Sequence, residues 1–344
     1  MKAAYLEKPM KIVVRDNAVV PVPGPEEALV KVEYCGVCGS DVHFYKDGHI
    51  GDVAAPPSFI LGHEVAGTVM EVGDLVNGLR PGDRVALEPG YPCGTCELCR
   101  SGKYNLCRSV RFFADPPTPG ALQEYVVHPA GMCYLLPETV STEEGALVEP
   151  LAVGLHAASQ GNVTLGDRVL ILGGGCIGLV TLLAAKARGA SEIVVADLFE
   201  KRLEAAKRLG ASGVISAGKE DVAARVKEIF GDRGADVVFE TAGSAATIGE
   251  APFFVKRGGT VVLVGMAAES TINFNFSQIM VKEVTIKSVF RYRNLYPVAI
   301  AAIASGSIDV KPIVTHYFSF DDSDAAFRTV VEEAKDVIKA VIRF

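Results

Sequence analysis

The chain has 344 residues, nearly half of them hydrophobic; at roughly 150 residues per domain it can build about two sizeable cores. Its 34 basic and 41 acidic side chains leave a net charge of −7, which offers no electrostatic footprint for nucleic acid. The longest nearly uncharged apolar run, residues 169–185, is short for a bilayer span and is interrupted by glycines, and MKAAYLEKPMKIVV has no apolar segment before a cleavage site. A cytoplasmic protein with no membrane partner is therefore expected.

Short β-like runs at residues 28–34, 64–72, 83–87 and 123–127, parted by Pro and Gly breaks, describe a β-rich domain reaching to about residue 150. The rhythm then changes. A strand over 168–172 leads to a glycine turn over 173–178, an apolar helix ending at Arg188 and a strand over 193–197. A charged helix over 200–209 and strands over 235–240 and 260–265 continue the alternation that a doubly wound parallel sheet requires. A helix over 296–304 and a strand-like run over 340–344 read as a return to the first domain. The expected organisation is an α/β protein in which residues 151–288 form a dinucleotide-binding domain inserted between residues 1–150 and 289–344.

Gly173-Gly174-Gly175-Cys176-Ile177-Gly178 fits G-x-G-x-x-G between an apolar strand and an apolar helix. In that context Gly173 allows the tight turn, Gly175 lets the backbone approach a pyrophosphate, and Gly178 permits close packing of helix on strand. Asp197, at the end of the next strand, can accept hydrogen bonds from both adenosine ribose hydroxyls and would repel a 2′-phosphate, which favours NAD over NADP. Arg202 could stack on the adenine or help tolerate a phosphate.

Four of the eight cysteines, Cys93, Cys96, Cys99 and Cys107, follow C-x₂-C-x₂-C-x₇-C. Four thiolates make a closed set suited to structural zinc, with an iron–sulfur cluster as the chemical alternative. A second, scattered constellation comprises Cys38 in GVCGSDVH, the pair His63-Glu64 in LGHEVAG, and Glu149 in LVEPLAVG. A thiolate, an imidazole and a carboxylate, with water completing the shell, are the open donor set of catalytic zinc. Cys35, Cys133 and Cys176 read as packing residues, and His49, His128, His156 and His316 as structural ones.

These motifs resemble those of the zinc-dependent medium-chain alcohol dehydrogenases over essentially the whole chain. GHE-x₂-G-x₅-G at residues 62–73 is similar to that family's signature, and GVCGSDVHF, RVALEPG, EEGALVEPLAVGLHA and VFRYRNLYPVAI resemble the sorbitol and polyol branch. The resemblance implies a Rossmann sheet inserted into a GroES-like catalytic domain, a homotetramer, NAD, and two zinc ions per chain, one catalytic and one structural. It implies catalytic zinc held by Cys38, His63 and Glu64, with Glu149 at the metal's water or the substrate; typical alcohol dehydrogenases have a cysteine where Glu149 stands. It also assigns Phe44, Arg291 and Tyr292 to the substrate, and Val264, Gly265, Met266, Val289, Phe290 and Arg291 to the cofactor. Ser40 and His43 match the family's proton relay. Phe44 stands where animal sorbitol dehydrogenases carry a tyrosine, and those enzymes have lost the four-cysteine set, so a microbial polyol dehydrogenase acting on a sugar alcohol is implied. Competing readings are a zinc dehydrogenase for threonine or a butanediol, and a zinc-module binding protein without catalysis.

Overall fold

The ten-residue strand Glu27–Gly36 organises the N-terminal half of the chain, because its alternating Ala28, Val30 and Val32 face a core shared with Val65, Val69, Val85, Leu87 and Val126. The computed structural model describes residues 1–267 and 269–344, which divide into two units: Met1–Glu149 with Tyr296–Phe344, and Pro150–Leu295.

In the first unit, Glu27–Gly36 pairs antiparallel with Glu64–Val72, with Tyr125–Pro129 and with the C-terminal strand Lys339–Arg343. Arg84–Leu87 and Cys133–Leu135 extend the sheet on one side, and Val314–Ser319 on the other. Gly36 lies opposite Glu64 on one flank and opposite Val341 on the other, so both ends of the chain meet at one place in the register. A second core joins Leu6, Phe44, Tyr45, Phe59, Phe327 and Ile342. The strand expected over 123–127 is Tyr125–Pro129, since Gln123 is taken by an isolated bridge to Ala3.

The second unit holds six parallel strands in the order Gly213–Ser216, Glu192–Asp197, Arg168–Leu172, Ala235–Glu240, Val255–Leu263 and Thr285–Ser288. Their continuous apolar runs, such as Val169 to Leu172, suit strands covered on both faces. The order in which strands are added reverses between Arg168–Leu172 and Ala235–Glu240, the switch point at whose carboxyl edge ligands bind in such sheets.

The return to the first unit falls at Tyr296, seven residues after the expected position 289. Val289 still donates its N–H to the Leu263 carbonyl, prolonging the sheet edge. Tyr296 instead donates its hydroxyl to the Leu87 carbonyl and packs its ring on Tyr134. Among the described residues no helix is long and apolar enough to cross a membrane.

Candidate active site

Cys38 is the N-cap of the helix Gly39–Asp47. His63 and Glu64 stand where the chain enters the strand Glu64–Val72, both buried. One ligand atom from each of these three residues lies within 4.8 Å of the other two. That donor set, borderline-soft sulfur and nitrogen with one oxygen, fits a zinc ion with room for a further ligand.

Two residues not anticipated from the sequence hold this group. Asp41, buried in the first turn of the same helix, approaches His63 Nδ1 with Oδ2 at 3.3 Å and accepts the Gly62 N–H with Oδ1 at 3.1 Å. Burial disfavours a charged His63, but Asp41 and then Cys38 outweigh it and raise the imidazole well above its ordinary value. Lys339, on the C-terminal strand, donates to both oxygens of Glu64 and to the Val37 carbonyl. Nothing local marked Asp41; its spacing from Cys38 on one helical turn was the available signal.

Ser40 Oγ donates to Cys38 Sγ at 3.4 Å. His43 is exposed, with Nδ1 3.7 Å from Asp47, while Phe44 is buried edge-on against Phe59. Glu149 is buried in the first turn of the helix Val148–Gln160 and stands outside the Cys38–His63–Glu64 group. Arg291 and Tyr292 belong to the second unit; Arg291 lies over the Phe290 ring with a left-handed φ of 56°, and Tyr292 is buried.

The four lobe cysteines also converge, each offering a sulfur within 4.8 Å of the others, and no disulfide links them. Four sulfurs with no oxygen donor fit a closed tetrahedral site. Cys93 accepts from Thr95, whose hydrogen bonds pull its thiol down to about 6. Tyr104, between the third and fourth cysteines, donates to the buried Glu88 at 2.7 Å, and Tyr134 donates to that carboxylate's other oxygen. Of the three remaining cysteines, Cys35 and Cys133 are buried and Cys176 is half-buried.

In the second unit Gly173 takes a φ of 107°, and a Cβ on Gly178 would fall 1.9 Å from the Gly173 carbonyl oxygen. Gly175 caps the helix Cys176–Ala187, which carries Ile177 in its first turn. Asp197 uses both carboxylate oxygens on backbone N–H groups, those of Gly174 and Phe199, at 2.7 and 2.8 Å. Arg202 stands 3.7 Å from Asp197 and lies over the Phe199 ring. Val264 and Gly265 both donate to the Glu240 carbonyl; Met266 and Phe290 are exposed.

Residues 24–138 match the family described as alcohol dehydrogenase GroES-like domain, and residues 176–305 the family described as zinc-binding dehydrogenase. An uncharacterized zinc-type alcohol dehydrogenase-like protein of Escherichia coli is 50% identical over 99% of this chain and 98% of its own. The sorbitol dehydrogenase of Macaca fascicularis is 45% identical over 96% of this chain and 94% of its own. Among solved structures, an oxidoreductase/dehydrogenase of unknown specificity from Escherichia coli superposes with a TM-score of 0.95 at 49% identity, covering 99% of this chain and 98% of that one. A protein from Sinorhizobium meliloti described as a zinc-binding dehydrogenase, bound to NADP, gives a TM-score of 0.91 at 32% identity over 100% and 99% of the two chains. The chain therefore belongs to the zinc-dependent medium-chain alcohol dehydrogenases, an oxidoreductase family, in their sorbitol dehydrogenase branch.

Proposed function

We propose that this protein is an NAD-dependent zinc polyol dehydrogenase that oxidises a secondary hydroxyl of a sugar alcohol to the ketose. The observation that carries the reading is the convergence of Cys38, His63 and Glu64, a three-donor set that leaves a position open. Zinc bound there supplies Lewis acidity toward an alcohol oxygen, and a nicotinamide cofactor supplies the hydride acceptor.

The chain's own residues do the rest. Asp41, whose Oδ2 stands 3.3 Å from His63 Nδ1, positions the imidazole so that Nε2 is left for the metal. Glu149, buried yet outside the three-donor group, holds a water or a substrate hydroxyl. Ser40, against Cys38, and the exposed His43 form the outward proton path. Phe44, Arg291 and Tyr292 orient the polyol.

Asp197 supports NAD: an anionic carboxylate beside the glycine turn disfavours a 2′-phosphate. The four-cysteine lobe holds a second, structural zinc. Thr285–Ser288 ends the parallel sheet, and Phe276 (69% exposed), Met280, Val281 and Ile286 are exposed apolar side chains on or just before it. That apolar edge supports a homo-oligomer, proposed as a tetramer. A cytoplasmic location fits free cysteines.

The test is metal analysis together with NAD reduction over sorbitol, xylitol, galactitol, arabinitol, threonine and butanediol. About two zinc ions per chain and turnover confined to polyols are the expected results. Faster turnover of threonine or butanediol would move the chain to another secondary alcohol, for which Phe44, offering no hydroxyl, is the favouring residue.

A further inference from the structure

Glu240 ends the central strand Ala235–Glu240 with its side chain fully buried at the switch point of the parallel sheet. One carboxyl oxygen, Oε1, accepts three hydrogen bonds from the following turn: the N–H groups of Ala242 and Gly243 at 2.9 and 2.8 Å, and the Thr247 hydroxyl at 2.8 Å. The other, Oε2, is buried without a hydrogen-bond partner. Among the described residues no cationic side chain is paired with it.

The same residue reaches a second loop through its backbone. Its carbonyl accepts the N–H groups of Val264 and Gly265, and a Cβ on Gly265 would fall 2.9 Å from Oε2 and 2.2 Å from the Gly243 nitrogen. The next residue ties in the third loop: Thr241 donates its N–H to the Leu172 carbonyl and its hydroxyl to the carbonyls of Leu172 and Gly173. Three segments at the carboxyl edge, 173–178, 241–247 and 264–266, are thus fastened at adjacent residues.

A buried carboxyl with one oxygen saturated and one empty-handed is a costly device for holding a turn that Ser244 already caps by accepting the Thr247 N–H. Its distinctive effect is on placement: the carboxyl holds the 241–247 turn, and through Gly243, whose backbone lies directly against Gly265 and Met266, that turn sets where the 264–266 segment runs. We propose that Glu240 is a positioning residue for the dinucleotide, setting the separation between the pyrophosphate turn and the nicotinamide-side segment before the cofactor arrives. The inference rests on the reading of this edge as a nicotinamide cofactor site. Burial raises the Glu240 carboxyl from its ordinary value against the hydrogen bonds from Thr247, Gly243 and Ala242, and an amide keeps the acceptor oxygen that Ala242, Gly243 and Thr247 share.

The test is NADH binding by calorimetry to the full-length wild type, Glu240→Gln, Glu240→Ala and Thr247→Val, with thermal unfolding in the absence of nucleotide. Wild type that binds no NADH removes the cofactor reading itself. Given wild-type binding, Glu240→Ala is expected to raise Kd for NADH by about tenfold, equivalent to about 1.4 kcal/mol, while Glu240→Gln stays within about threefold of wild type. KM for the alcohol at saturating NAD is expected to stay unchanged in the folded variants, because none of the fastened segments contains a residue proposed to contact the polyol. A folded Glu240→Ala protein with wild-type affinity overturns the inference, as does a Gln variant no better than Ala. Should Glu240→Ala fail to fold, Thr247→Val decides: it removes one donor from Oε1, and an unchanged Kd would overturn the proposal.

Discussion

Lys339 donates to both carboxylate oxygens of Glu64, at 2.7 Å each, with the two side chains only 3% and 1% exposed. Removing one partner of a buried pair strands the other's charge, at a typical cost of about 3–5 kcal/mol. Lys339→Met is therefore expected to destabilise the protein strongly after chelation, and less in zinc-loaded protein, where the metal takes part of the carboxylate's charge. Denaturant unfolding with and without chelator checks this. A loss equal in both states would show that Glu64 does not face the metal.

A methyl group on Gly178 would meet the Gly173 carbonyl at 1.9 Å, which no rotamer change can relieve. Gly178→Ala is expected to cost about 1–3 kcal/mol of stability through overpacking and to weaken NADH binding, because the turn that must yield is the one proposed to face the pyrophosphate. Calorimetric titration and thermal melts together separate the two effects. An NADH affinity matching wild type would argue that the turn does not hold phosphates.

His128 is fully buried, its Nε2 donating to the Glu88 carbonyl at 2.7 Å between the rings of Phe113 and Tyr91. Burial lowers its pKa to about 4 from an ordinary 6.5, so the folded state stays neutral where the unfolded state already binds a proton. The unfolded state therefore gains as pH falls through the interval from 6.5 to about 4, and stability declines there and levels off below it. Between about pH 7.5 and pH 5 this one group should remove about 2 kcal/mol. His128→Gln should flatten that part of the stability–pH curve relative to wild type; parallel curves would refute the assignment.

Replacing Cys99 with Ser takes one sulfur from the lobe. Bound zinc is expected to fall from about two ions per chain to about one, and the loop around Tyr104 to become sensitive to limited proteolysis, since the lobe reaches the sheet through the Tyr104–Glu88 hydrogen bond. An undiminished zinc count would exclude the four-cysteine site as a zinc site.

Ile286→Glu places a charge on the strand that ends the parallel sheet, where Ile286 is 38% exposed. Sedimentation is expected to show smaller species than wild type with the monomer still folded; an unaltered oligomer would mean association uses another surface.

Much of this architecture was legible because its signals are local. The glycine turn announces itself in six consecutive residues with a strand before and a helix after, and the four cysteines cluster within fifteen positions. His63-Glu64 and Cys38 were readable as donors, but their meeting depends on Glu27–Gly36 pairing with Glu64–Val72, a long-range register that spacing does not report. Lys339 was invisible for the same reason, being 275 positions from the carboxylate it clamps. Glu240 escaped notice because a glutamate closing an apolar strand reads as an ordinary exit to solvent, whereas here the following turn folds back over it. The division at Tyr296 has no sign in the composition, because Val289 continues the sheet edge by one main-chain bond.

The clamp on Glu64 also imposes a timetable on synthesis. Residues 150–295 are all available to close their sheet while the strand bearing Lys339 is still being made. During that interval Glu64, already translated, has no ammonium to meet it, and the seven-stranded sheet lacks both Lys339–Arg343 and Val314–Ser319. The cofactor half can thus mature first, with the metal-binding half left open until Lys339–Arg343 has been made, the stage at which its exposed strand edges are most open to wrong partners.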